Sequence, residues 1–126
     1  MKIAREATEA FNEGKISPHF APDVIVTPPP GWPDAGEEIR GAEAWARQVE
    51  RLRDSWESPR VEIDDLRPIG ADRVLALFRY VTTGRDSGIS FETPMGGVFT
   101  IKSGKIVRAE YFRSPAEALA AAGLSE

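Results

Sequence analysis

The chain has 126 residues with 16 Lys and Arg against 20 Asp and Glu, a net charge of −4, one histidine and no cysteine. That length suffices for one domain with a real core, spanning 1–126, and falls short of two. The composition excludes a disulfide framework, a thiol nucleophile, a thiolate metal site and a multi-histidine metal site. Its scattered basic residues do not form the stripe that nucleic-acid binding needs. No apolar run is long enough for a membrane-spanning helix. The charged, amphipathic start MKIAREATEAFNEG does not read as a signal peptide, and the expected location is cytoplasmic. No Walker, dinucleotide or serine-elbow motif is present.

Along the chain, Ile3, Ala7, Ala10 and Phe11 recur at helical spacing over 3–13, and Gly14 ends that helix. KISPHFAP is a turn, and Val24, Ile25 and Val26 form a brief strand cut off by prolines. TPPPGWPDAGEE is a loop carrying Trp32. From Glu38 to Trp56, the residues Ala42, Trp45, Ala46, Val49, Leu52 and Trp56 make one apolar helical face. Strands follow at 60–69, 72–83, 89–101 and 105–113, with turn signals at Gly70-Ala71-Asp72 and Arg85-Asp86-Ser87-Gly88. Ser114-Pro115-Ala116-Glu117 is a capping box with proline at the first helical position, and Gly123 closes that last helix. This order predicts an α+β fold, with helices on one face of a curved antiparallel sheet.

The last hairpin carries the chemistry. Ser103-Gly104 reads as a two-residue turn, pairing Lys102 with Lys105 and Ile101 with Ile106. An unbroken register then places Phe99 opposite Arg108, Gly97 opposite Glu110 and Met95 opposite Phe112. The face with Phe99, Ile101, Ile106 and Phe112 is the oilier one, so Glu110 is expected to point inward beside a glycine. A carboxylate turned inward must be paired, be neutralised or line a cavity. The competing reading is a register slip or a bulge at Gly96-Gly97, which turns Glu110 out.

AFNEGKI, FAPDVIV, GWPDAGEEIRGAEAW, GVFTIKSGKIVRAEYF and SPAEALAAAGL, in that order from Ala10 to Leu124, resemble the SnoaL-like branch of the nuclear transport factor 2-like superfamily. The resemblance implies a cone-shaped, barrel-like α+β fold in which a bent sheet wraps helices around a pocket. It also implies a homodimer formed through the sheet. The superfamily includes polyketide cyclases, ketosteroid isomerases, epoxide hydrolases and non-catalytic modules, so fold alone does not give function. Only SPH separates KI from FAPDV, where relatives carry a further helix, so the pocket mouth is expected to differ.

By the same resemblance Glu110 matches the last-strand aspartate of the epoxide hydrolases and Arg79 the arginine beside it. Val81 stands where those enzymes carry the water-activating aspartate. That departure argues against epoxide hydrolysis and leaves two readings for Arg79 and Glu110. They form either a catalytic acid/base with an orienting cation or a structural ion pair. Pocket-lining expectations fall on Trp32, Trp45, Val49, Val81, Phe99, Phe112 and His19, with Glu92 and Arg108 at the rim. Trp45, Val49 and Trp56 read equally as core. Tyr80 and Tyr111 are expected on the outer face, toward a dimer partner. The expected ligand is a small apolar molecule, and no metal or organic cofactor is implied. Two functions compete: a binding protein or cofactor-independent enzyme, and a non-catalytic association module with a filled pocket.

Overall fold

The computed structural model describes residues 2–13, 15–28, 38–55, 57–83 and 88–123. Trp32, Trp56, Gly14, most of the proline loop and the turn at 84–87 lie outside the described residues, as does the side chain of Leu52. The elements are α1 (Lys2–Asn12), β1 (Phe20–Thr27), β2 (Ile39–Arg40), α2 (Ala42–Ser55), β3 (Glu57–Ile69), β4 (Arg73–Thr83), β5 (Ser90–Lys102), β6 (Lys105–Phe112) and α3 (Pro115–Ala121). The six strands form one sheet in the order β2-β1-β6-β5-β4-β3. β1 runs parallel to β6 and every other pairing is antiparallel, so the sheet is mixed and its two edges stay apart.

The expected α+β fold of helices on a curved sheet is present, with the sheet mixed through β1 and left open. One expectation needs correction here. The residues Ile39 and Arg40, expected in the long helix, instead pair with Val26 and Ile25 as β2. Gly41, at φ +97, then turns the chain into α2.

Helices cover both faces. α1 and α2 bury Ala4, Ala7, Trp45 and Val49 against the concave face, which presents Val24, Val26, Phe78, Phe99, Ile106 and Ala109. On the convex face α3 buries Ala118 and Leu119 against Leu75 and Val98, with Leu77 and Phe112 alongside. α3 begins as its sequence says it should. Ser114 is extended, its side chain accepts from the Glu117 backbone N–H at 3.2 Å, and Pro115 opens the helix.

α1 is fastened to the edge strand β3 by one side chain. The Asn12 amide accepts from Val61 N at 2.7 Å and donates to Val61 O at 3.0 Å, copying one rung of strand pairing. Pro94 lies in β5 beyond the point where β6 has ended, so its missing N–H costs the ladder nothing.

The hairpin of β5 and β6 decides which side chains see the concave face. Ser103 and Gly104 take φ of +52 and +76, as a two-residue turn of this hand requires. Lys102 pairs with Lys105 and Ile101 with Ile106, as expected. The next pair is Thr100 with Arg108, so Val107 is an extra residue in β6. From there the register moves by one: Phe99 faces Ala109, Val98 faces Glu110 and Gly97 faces Tyr111. An unbroken register would turn both Arg108 and Glu110 inward. The bulge turns Ala109 and Tyr111 inward instead and avoids desolvating two charges.

Candidate functional site

The concave face and its helices enclose a hollow. α1 contributes Ala7, Thr8 and Phe11, and the segment after it contributes Lys15 and Ile16. β1 gives Phe20, α2 Trp45, β3 Val61 and Ile63, β4 Ala76, Phe78 and Tyr80, β5 Phe99 and β6 Tyr111. The hollow has a cavity volume of about 50 Å³ and opens to solvent at its mouth. Alternation along an unbroken β4 explains the lining: Ala76, Phe78 and Tyr80 face in, while Leu77, Arg79 and Val81 face out.

Seven of the lining side chains carry aromatic rings, and Tyr111 is packed among them. Its ring stacks on Trp45 at 5.9 Å and meets the edges of Phe99 at 5.9 Å and Phe78 at 6.3 Å. Phe11 and Tyr80 meet at 6.2 Å. Gly97 makes room for the Tyr111 ring, since a Cβ there would lie 3.3 Å from Tyr111 Cδ1. Burial pushes the Tyr111 phenol above its ordinary value, so it holds its proton throughout the neutral range. Among the described lining residues there is no carboxylate.

The structure does not bring Arg79 and Glu110 together. Both lie on the convex face, with β5 between their strands. Glu110 pairs with Arg108 at 3.7 Å, and Arg108 reaches Glu38 at 2.9 Å. The inward placement of Glu110 is corrected by the Val107 bulge. Arg79 sits amid three carboxylates: Glu92 at 2.6 Å, Asp64 at 3.1 Å and Glu62 at 3.1 Å. The hydrogen bonds it donates to Glu92 and then Asp64 raise its already high pKa, against an opposing effect of desolvation. Glu92 and Arg108 thus belong to convex-face ion pairs rather than to a pocket rim.

The remaining expectations divide. Trp45 and Phe99 line the hollow. Val49 is buried in the same core without lining it, and Val81 and Phe112 point to the convex side. Tyr80 and Tyr111, expected outside, line the hollow. His19 stands outside the lining, where its Nε2 is joined to Glu6 Oε2 and ties the start of β1 to α1. Trp32 lies outside the described residues. The sequence reading missed Phe11, Phe20, Phe78, Tyr80 and Tyr111. For Phe78 and Tyr80 the signal was present, because the charge of Arg79 between them marks the outward parity.

Among the described residues no three His, Cys, Asp or Glu side chains converge as a metal site needs, and no helix is long and apolar enough to cross a membrane.

The model of the SnoaL-like domain matches residues 4–109. No curated protein matches the chain. Among solved structures, an NTF2-like protein from Burkholderia thailandensis E264 is 29% identical, with a TM-score of 0.77 over 98% of this chain and 96% of that one. Wild-type IdmH from Streptomyces antibioticus, described as a candidate polyketide cyclase, is 20% identical, with a TM-score of 0.78 over 98% of this chain and 97% of its own. A protein of ketosteroid isomerase-like fold from Catenulispora acidiphila DSM 44928, solved with trimethylamine, is 20% identical. Its TM-score is 0.77 over 98% of this chain and 94% of its own.

Proposed function

The chain belongs to the SnoaL-like domain family, and from that membership and its aromatic hollow we propose that it binds a small, ring-bearing apolar molecule between the sheet and α1 and α2. The observation that carries this reading is the lining itself. Seven aromatic rings surround a concavity without a described carboxylate, which suits stacking on a flat hydrocarbon skeleton. The likeness to polyketide cyclase-like structures supports the same class of ligand.

The reading assigns no chemistry to Glu110 or Arg79, whose partners are on the other face. Tyr111, kept protonated by its surroundings, adds its ring to the wall on which the ligand would stack.

The test is a calorimetric titration with naphthalene-sized probes on the wild type, Glu110→Gln and Ala76→Leu. Ala76 is buried in the wall of the hollow, and a larger side chain there fills it. Binding should persist in Glu110→Gln and vanish in Ala76→Leu, whose folding is checked by its thermal transition. Undiminished binding by a folded Ala76→Leu overturns the reading.

A further inference from the structure

The hollow has few polar groups among its described lining residues. Thr8 donates its hydroxyl proton to Ala4 O at 3.0 Å. Tyr80 and Tyr111 carry phenols. Lys15, at the start of the segment after α1, is the sole charged side chain among the described lining residues. It is exposed, so its stem borders the hollow while its ammonium stays near water.

Several basic side chains elsewhere are committed, and those that are not, such as Arg5, Arg47, Arg73 and Lys102, do not line the hollow. Arg40, Arg60, Arg67, Arg79, Arg108 and Arg113 each face a carboxylate within 4 Å, and Lys105 donates to Pro18 O at 2.8 Å. Lys15 forms no ion pair among the described residues. An apolar hollow with an uncommitted cation at its border and no carboxylate within is complementary to a ligand that is greasy at one end and anionic at the other.

We propose that the ligand class is the apolar carboxylic acid, its rings stacked inside the hollow and its carboxylate meeting Lys15 at the mouth. This rests on the binding reading above and adds the polarity of the ligand. The chain as a whole carries a net charge of −4, which favours cations at long range. A preference for an anion must therefore come from this local charge. Aromatic walls alone would also welcome an ammonium group, and Lys15 is the feature that opposes it.

The experiment titrates three probes of one ring system, 2-naphthoate, 2-naphthalenemethanol and 2-naphthylmethylammonium, into the wild type, Lys15→Met and Lys15→Arg at low salt. 2-Naphthoate should bind about 3- to 5-fold more tightly than the alcohol, as a solvent-bordered ion pair allows. The ammonium probe should bind most weakly. The preference for naphthoate over the alcohol, taken as a ratio within each protein, should be lost in Lys15→Met, kept in Lys15→Arg and reduced by added salt. Equal binding of naphthoate and alcohol, tightest binding of the ammonium probe, or a carboxylate preference that survives Lys15→Met overturns the proposal while the hollow remains a binding site. Failure of all three probes to bind the wild type overturns both readings.

Discussion

Tyr111 shows how one side chain couples packing to proton chemistry. Its phenol has an ordinary pKa of 10.0 and a higher one in the folded chain, because desolvation disfavours the phenolate. Above pH 10 the unfolded chain releases this proton and the folded chain still holds it. The unfolded state then binds fewer protons, so stability falls with rising pH. The contribution is intact below pH 10 and is lost progressively toward the folded-state value. Thermal unfolding followed from pH 9 to pH 11 should show the wild type losing stability more steeply than Tyr111→Phe. Parallel profiles would show that the phenol is not held away from water.

At the scale of elements, the seat of α3 on the convex face is as tight as an interface can be. A Cβ on Gly96 would come to 2.3 Å from the Ala118 Cβ, and Ala118 is fully buried. Both partners belong to regular elements, so relief requires moving the helix off the sheet. Gly96→Ala should destabilise the protein by about 1–3 kcal/mol in chemical denaturation, the usual cost of overpacking. The double variant Gly96→Ala with Ala118→Gly should recover part of that loss. A single variant as stable as the wild type would mean that α3 is less closely seated. The start of this helix was legible in Ser114, Pro115 and Glu117 because a cap is decided within four residues. The turn at Ser103-Gly104 was legible for the same reason. The register beyond it was not, because it depends on what each side chain meets across the fold. Counting Arg108 and Glu110 as two charges turned inward, against Ala109 and Tyr111, would have favoured a bulge near position 107. The brief β2 was hidden by helical periodicity that continued on paper through Ile39.

At the scale of the whole molecule, the sheet separates two chemistries. Its concave face gathers rings from α1, α2 and four strands. Its convex face carries ion pairs at one end and the apolar seat of α3 elsewhere. Arg79 holds together Glu62, Asp64 and Glu92, drawn from the two strands that flank its own. Arg79→Leu leaves those carboxylates facing one another. Its melting temperature should fall below that of the wild type at low salt, and the gap should narrow as salt screens the repulsion. A gap independent of salt would assign the loss to packing of the arginine stem. The general architecture was legible from element order and family resemblance. The site was not, because five of its seven rings sit in elements whose facing depends on register or on helix placement.

Val107 gives the fold an unusual evolutionary lever. Removing one residue from β6 would exchange the set of side chains looking into the hollow, bringing a carboxylate and a guanidinium in and sending a phenol out, without altering any other letter of the sequence. A chain of this fold with one residue fewer between the Ser103-Gly104 turn and the final helix would therefore present a different set of groups to its hollow.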